Sequence, residues 1–139
     1  MSGARRAFTL IEVMIVVILL SLLAGFVSTN VVRHLKTSRL RIAEAMVRST
    51  LSQMLHQFYV DNGFYPTTDQ GLQALVEKPA TGPEPTGYGE EGYADEIPAD
   101  PWGMPYQYAC PGTRNPRRFD LWSAGPDGRS GADDDIGNW

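Results

Sequence analysis

Residues 8–27 read FTLIEVMIVVILLSLLAGFV, an apolar run of 20 residues in which Glu12 carries the only charge. As a helix this run would be about 30 Å long, which is close to the hydrocarbon thickness of a bilayer. The chain past Val27 continues with a helical pattern and has no small-residue cleavage motif. A retained membrane segment is therefore favoured over a secretory signal peptide that is removed whole.

Glu12 does not suit a simple membrane anchor. An unpaired carboxylate in an apolar environment costs several kcal/mol or must be neutralised. From the residues alone, two interpretations stay open. Glu12 lies near the helix end and reaches the headgroups, or it pairs with a cation. The obvious cation is an α-amino group created by cleavage just before Phe8.

Apolar residues continue past Val27 at steps of three and four, which predicts an amphipathic helix with one buried face. No Gly or Pro interrupts residues 26–60, whereas Asp61-Asn-Gly63 forms a conventional helix end. We therefore expect one helix over Phe8–Val60, about 80 Å long. Its predicted stripe is Val31, Val32, Leu35, Leu40, Ala43, Met46, Val47, Thr50, Leu51, Met54, Leu55 and Phe58.

The rest of the chain predicts a small α+β head that covers the second half of the helix. Thr68–Glu77 is expected to form a short helix capped by Thr68. Tyr106–Ala109 and Arg118–Trp122 alternate in bulk and predict antiparallel strands, in a sheet of two or three. The Gly- and Pro-rich stretch Thr81–Gly92 is expected to be a loop.

Charge is divided unevenly along the chain, with +5 over residues 1–60 and −9 over residues 61–139, which sum to −4. An acidic C-terminal half argues against a nucleic-acid partner, which needs a basic face. The single Cys110 excludes an intrachain disulfide framework and a zinc-finger pattern.

Catalytic arrangements are scarce in this sequence. His34 and His56 lie 22 positions apart on the expected helix, so they share neither a metal nor a proton relay, and both are expected to be solvated. An enzyme could then rely only on carboxylates such as Asp95, Glu96 or Asp100. A membrane-anchored calcium-binding enzyme stays as the remote alternative.

The segment Asp127–Asp135 holds four carboxylates and two glycines in nine residues. Calcium takes six to eight oxygens from carboxylates and backbone carbonyls, although the spacing here is not that of an EF-hand. A solvated acidic turn is the other interpretation. Like charges this close should repel unless a cation joins them, which favours a metal loop.

The leader Met1–Ala7, with two arginines, followed by Phe8-Thr-Leu-Ile-Glu-Val13, resembles the class III signal of type IV pilins and type II secretion pseudopilins. That resemblance implies that a prepilin peptidase cuts between Ala7 and Phe8 and methylates Phe8. It also implies that Glu12 pairs with the terminal amine of a neighbouring subunit and sets the assembly register. The family usually has Gly where this chain has Ala7.

Motifs in the head narrow the resemblance to the major pseudopilins of type II secretion. These motifs are Asp61–Pro66, Thr67–Leu75, Asp100–Gly103, Gly125–Gly128 and Asp133–Trp139. A type IV pilin, one alternative, commonly carries a disulfide loop that a lone Cys110 cannot form. A minor pseudopilin at the filament tip is the other alternative from this superfamily.

The resemblance also implies a calcium site in the acidic tail. Its ligands would be the carboxylates of Asp127, Asp134 and Asp135 with the backbone carbonyls of Ala124 and Ala132. Asp133 is the aspartate of the triplet not assigned as a ligand. The ion would be structural, pinning the tail to the head so that subunits pack.

The implied organisation is a cleaved leader (1–7), a transmembrane and filament-core segment (8–27), and a periplasmic head with the amphipathic half-helix (28–139). The protein would sit in the bacterial inner membrane as a single-pass subunit surrounded by lipid before assembly. It would polymerise with itself into a pseudopilus that helps to export folded exoproteins. Minor pseudopilins, inner-membrane assembly components and the prepilin peptidase would be its partners. No catalytic role is implied.

Overall fold

A computed structural model of the chain describes residues 8–139, except for the side chains of residues 26–31. The leader and the Ala7 side of the predicted cut lie outside the described residues. Helix α1 spans Leu10–Ala45, a π-helical turn follows over Met46–Thr50, and helix α2 spans Leu51–Asn62. The chain divides into two compact units, Met1–Thr37 and Ser38–Trp139.

Helix α1 begins with a capping interaction at Thr9. The Thr9 hydroxyl accepts a hydrogen bond from the backbone N–H of Glu12 at 3.3 Å, and the Thr9 carbonyl accepts from the same N–H at 3.1 Å. A Thr at this position supplies an acceptor for an otherwise unpaired first-turn donor. The predicted helix start at Phe8 is therefore two residues early.

Apolar side chains of α1 are exposed throughout residues 10–23 within this single chain, with Leu10 at 79% and Leu22 at 68%. The predicted apolar segment ends on residues 26 and 27, whose side chains lie outside the described part. Among the described residues, no helix is long and apolar enough to cross a membrane.

The π-helical turn corrects the prediction of one uninterrupted α-helix. Its wider winding appears in the bond from the Leu51 N–H to the Met46 carbonyl, and the Ser52 hydroxyl donates to the Val47 carbonyl at 2.6 Å. Such turns are rare and occur mostly as single wide turns inside α-helices. Here the neighbouring Arg48 donates from Nε to the Gly137 carbonyl at 3.2 Å.

The buried stripe is narrower than predicted. Five of its twelve members are fully buried: Ala43, Val47, Leu51, Leu55 and Phe58. Val32, Leu35 and Leu40 are exposed. The predicted helix end at Asp61-Asn-Gly63 is confirmed, although the helix runs to Asn62: Gly63 adopts φ 82° and donates its N–H to the Tyr59 carbonyl at 2.7 Å.

The short helix predicted over Thr68–Glu77 is wrong in type and length. Only a 3₁₀ turn, Leu72–Leu75, forms there, preceded by Gly71 at φ 58°. A residue in that conformation interrupts an α-helix. Thr68 does not cap it and instead exchanges two hydrogen bonds with the backbone of Cys110, at 3.0 and 3.1 Å. Thr81–Gly92 is a loop, as expected.

The sheet has three antiparallel strands in the order β1, β2, β3. They are β1 (Gln107–Ala109), β2 (Asp120–Ser123) and β3 (Ile136–Gly137). The predicted second strand, Arg118–Trp122, starts two residues too early and ends one too soon. Tyr108 pairs with Leu121, and Ser123 pairs with Ile136.

The core lies between α2, the 3₁₀ turn and the sheet. Its buried members are Val47, Leu51, Leu55, Phe58, Leu72, Ala74, Leu75, Tyr106, Phe119 and Leu121. Phe58 is at its centre, with ring centroids of Phe64, Tyr88 and Tyr93 at 5.7, 6.2 and 5.4 Å. The pilin-like α+β prediction, a long N-terminal helix with a small antiparallel sheet, is confirmed.

Candidate functional site

Glu12 lies in the first turn of α1 and is exposed. Its backbone N–H is bound by Thr9, but within residues 8–139 its carboxylate forms no hydrogen bond or ion pair. A negative charge in the first turn is favoured by the helix dipole. The carboxylate is thus available for a cation from outside the described part of this chain.

The C-terminal aspartate-rich loop connects β2 to β3. Asp127 accepts a hydrogen bond at Oδ1 from the Arg129 N–H at 2.8 Å, and Asp135 accepts one at Oδ2 from the Gly131 N–H at 2.7 Å. The Ser130 hydroxyl accepts from the Trp122 indole at 2.5 Å. These short-range bonds fold the loop back on itself.

One carboxylate oxygen in this loop lacks a hydrogen-bond partner. It is Asp135 Oδ1, which is buried and accepts no hydrogen bond from any residue that the structure describes. A buried carboxylate oxygen without a donor is costly unless a cation supplies the missing interaction. The polar atom and its acidic neighbours therefore fit a hard cation, which prefers oxygen ligands.

Gly125 brings Asp134 close to the start of the loop. It adopts φ 68°, and a Cβ there would lie 2.5 Å from the Asp134 carbonyl oxygen and 3.1 Å from its Oδ2. Only a residue without a side chain tolerates both this conformation and this approach. The Gly-Pro-Asp-Gly motif over residues 125–128 thus has a steric reason for its first glycine.

The predicted metal ligands are not all gathered. Among the described residues, no three His, Cys, Asp or Glu side chains form a group arranged to hold a metal ion. Asp134 and Asp135 are half-buried in the loop, whereas Asp127 is exposed. Ala124 is buried, and the Ala132 carbonyl accepts from the Asp135 N–H at 3.3 Å. A cation here would depend on backbone carbonyls as well as carboxylates.

Asp100 is a buried hydrogen-bond acceptor next to the start of the C-terminal loop. It is 4% exposed, accepts at Oδ1 from the backbone N–H groups of Trp102 and Met104 at 3.0 and 2.8 Å, and accepts at Oδ2 from the Ser123 hydroxyl at 2.5 Å. The Ser123 oxygen then accepts from the Gly125 N–H at 3.1 Å. This chain of bonds joins the Asp100–Gly103 motif to the exit of β2.

We expect Asp100→Ala to destabilise the head by about 3–5 kcal/mol, because three donors lose their acceptor in a buried site. Asp69→Ala is the matched control, since Asp69 is exposed and should change stability by less than about 0.5 kcal/mol. The measurement is urea unfolding of the full chain in detergent, followed by tryptophan fluorescence. Equal unfolding midpoints for the two variants would remove the supporting role of Asp100.

Asn138 fastens the tail to β2. Its N–H donates to the Leu121 carbonyl at 3.1 Å, its Oδ1 accepts from the Leu121 N–H at 3.1 Å, and its Nδ2 donates to the Phe119 carbonyl at 3.1 Å. Arg48 adds a bond from the helix to Gly137. Sequence patterns did not single out Asp100's acceptor role, Ser123 or Asn138, because each acts through partners far away in the chain.

Burial raises the pKa of four tyrosines and of the cysteine in the head. Burial, with a smaller effect from the Asp100 charge, raises the pKa of Tyr106 to about 12. Burial also raises the pKa of Tyr108 and of the Cys110 thiol. A thiol with a raised pKa stays protonated and is a poor nucleophile. Cys110 therefore acts as a structural side chain, half-buried against the core.

Comparison with known proteins agrees with this architecture. Residues 30–139 match the family model described as type II secretion system (T2SS), protein G, and residues 3–28 match the prokaryotic N-terminal methylation motif. The chain is 44% identical over 138 residues to type II secretion system core protein G of Pseudomonas aeruginosa, covering 97% of this chain and 95% of that one. The Vibrio cholerae core protein G is also 44% identical, with 97% and 92% covered.

A solved structure also resembles this chain in both fold and sequence. The crystal structure of the major pseudopilin from the type 2 secretion system of enterohaemorrhagic Escherichia coli is 41% identical, with a TM-score of 0.69. It matches 75% of this chain and 85% of its own. The predicted family, the structural rather than enzymatic role and the N-terminal processing motif are confirmed by these matches. The chain belongs to the protein G family of type II secretion systems, the major pseudopilins.

Proposed function

We propose that this major pseudopilin is held in the bacterial inner membrane by residues 8–27 and polymerises with its head in the periplasm. The observation that carries the proposal is the exposed apolar surface of α1 around one carboxylate, Glu12. Such a surface is stable only in lipid or among other apolar helices. Lipid covers this surface in the free subunit, and the apolar helices of neighbouring subunits cover it in the filament.

Polymerisation would be head-to-tail and homopolymeric. A heterologous contact that does not close on itself generates an open helical filament. Minor pseudopilins and inner-membrane assembly components would act with the subunit, and the growing filament would help to drive folded exoproteins through the outer membrane. The family membership supports this role.

Processing would free the N-terminus for assembly. A prepilin peptidase would cut between Ala7 and Phe8 and methylate Phe8, and the new amine would pair with Glu12 of a neighbouring copy. The methylation-motif match over residues 3–28 supports this step. The Thr9 cap supports it too, because it binds the Glu12 backbone and leaves the carboxylate free.

Calcium would complete the C-terminal loop. Asp127, Asp134 and Asp135 would supply carboxylates, and Ala124 and Ala132 would supply backbone carbonyls. The buried oxygen of Asp135 without a hydrogen bond is the observation in favour. The ion would supply a fixed positive charge that holds the loop closed, so the tail would present one surface to the next subunit.

Overproduction of the full chain in a bacterium with a type II secretion system tests the proposal. We expect surface or periplasmic filaments that bind an antibody against the head, imaged by negative-stain electron microscopy. A strain without its prepilin peptidase is the matched control and should yield none. If the processed chain stays entirely as membrane-bound monomers, the proposal is wrong.

A further inference from the structure

A cavity of about 450 Å³ lies on one flank of the head, beside α2. Its lining includes Arg48, Ser52, His56, Arg118, Asn138 and Trp139, and we call it the basic pocket. Asn138 and Trp139 line it from the end of the chain, so the pocket is formed by α2 with the π-helical turn, the segment before β2 and the last two residues. Three of its side chains can carry positive charge, and no Asp or Glu side chain of the described residues lines it.

Arg118 is the unpaired cation of this pocket. It is exposed, and within residues 8–139 its guanidinium forms no ion pair. Arg48 is partly occupied by Glu44 at 3.1 Å and by the Gly137 carbonyl. Nearby, Arg114 stacks on Trp139, with its guanidinium carbon 4.0 Å from the ring centroid. The pocket therefore offers an anion a charge, an aromatic wall and hydrogen-bond donors.

A second surface carries the opposite charge. Residues 90–96, the acidic loop, contain Glu90, Glu91, Asp95 and Glu96, all exposed. None of these four carboxylates forms an ion pair with a described residue. The last three line another depression together with Met54 of α2.

The acidic loop is held in a fixed position. The Leu75 carbonyl accepts hydrogen bonds from the Tyr93 and Ala94 N–H groups at 2.7 and 3.0 Å, and the Tyr93 hydroxyl accepts from Asn62 Nδ2 at 2.9 Å. The Asn62 Oδ1 also accepts from the Gly87 N–H at 2.9 Å. A loop ordered before binding loses little entropy when it docks.

The two surfaces lie on opposite flanks of the same helix. Ser52 and His56 line the basic pocket, whereas Met54 lines the acidic depression. At about 100° per residue, position 54 points roughly 160–200° away from positions 52 and 56. Patches of opposite charge on opposite flanks cannot contact each other within one molecule. Between copies, such a pair of patches produces an open chain instead of a closed dimer.

We propose that the acidic loop of one subunit docks into the basic pocket of the next subunit. Glu96 and Asp95 would face Arg118 and His56 across this contact, with Trp139 packed beside them. This inference rests on the proposed polymerisation. It assigns the contact between the heads of neighbouring subunits in the filament. It goes beyond the N-terminal pairing of Glu12, because it lies entirely in the unit Ser38–Trp139.

Charge reversal in the full chain tests the contact. Arg118→Glu and Glu96→Lys should each lower filament yield about tenfold or more, since like charges placed opposite each other oppose docking. The two substitutions together should restore the yield to within about threefold of the parent, because they rebuild the pair with reversed signs. Arg117→Glu and Asp69→Lys make the same charge reversals at exposed positions outside the basic pocket and the acidic loop, and they should leave the yield unchanged.

Crosslinking gives a second, independent measurement. In a Cys110→Ala background, Ser52→Cys with Ala94→Cys should give a ladder of dimers, trimers and longer species from filaments treated with a short thiol crosslinker. Ser52→Cys with Ala80→Cys is the control and should give no ladder. A product that stops at dimers would contradict the head-to-tail arrangement.

The outcomes separate this inference from the proposed function. Filaments that form normally with Arg118→Glu or Glu96→Lys, and that give no ladder, would overturn the inference and leave polymerisation intact. Loss in both single variants without recovery in the double variant would also overturn it. Failure of the parent chain to form filaments at all would remove both.

Discussion

Glu12→Ala is expected to lower the number of filaments at least about a hundredfold while leaving the subunit in the membrane. The reason is that each entering subunit would bring an amine into an apolar core with no carboxylate to neutralise it. Removal of one partner from a buried ion pair costs about 3–5 kcal/mol, which corresponds to two or more orders of magnitude in an equilibrium constant. Filament counts by electron microscopy and subunit levels by immunoblot give the measurement.

Two further variants separate charge from helix capping. Glu12→Gln keeps the size and hydrogen-bonding capacity of the side chain but removes the charge, so it should fail like Glu12→Ala. Thr9→Ala removes the hydroxyl that caps α1 and keeps the carboxylate, and it should assemble close to normally. Abundant filaments from Glu12→Gln would exclude ion pairing as the role of Glu12.

Calcium removal should produce the second large effect. With a dissociation constant of about 10⁻⁴–10⁻³ M, as in extracellular sites, 10 mM calcium would stabilise the folded head by roughly 1.4–2.7 kcal/mol. Chelation should therefore lower the melting temperature of the full chain in detergent by roughly 5–10 °C. Thermal unfolding followed by circular dichroism, with calcium and with chelator, is the measurement.

Variants of the loop connect this shift to particular residues. Asp134→Ala combined with Asp135→Ala should abolish the difference between calcium and chelator, since it removes the Asp134 carboxylate beside Gly125 and the buried oxygen of Asp135. Asp133→Ala should keep the difference, because Asp133 is exposed and not expected to be a ligand. Identical melting curves of the parent chain under both conditions would reduce the loop to a solvated acidic turn.

Local signals in the sequence predicted the elements that depend on near neighbours. The helix end at Gly63 was predictable, because a left-handed glycine followed by Pro66 cannot continue a helix. The buried positions Val47, Leu51, Leu55 and Phe58 followed from steps of three and four residues. Glu12 was identified from the sequence directly, because it is the only charged residue in the apolar run 8–27.

Features that depend on distant partners were not predictable. Thr68 was expected to cap a helix but binds Cys110, which lies 42 positions further along the chain. Strand β3 has only two residues, which pair with Trp122 and Ser123, and the adjacent Asn138 binds Leu121. Within the candidate calcium loop, the acidic composition indicated a cation, but only the fold revealed which aspartate oxygen is buried without a donor.

We propose above all that the apolar helix with one carboxylate is retained after its leader is removed. Intact-mass measurement with N-terminal sequencing of the membrane-extracted protein tests this claim most directly. We expect a chain that begins at Phe8, lacks residues 1–7 and carries one added methyl group. A chain that keeps residues 1–7, or one that has lost residues 8–27 as well, would contradict the account.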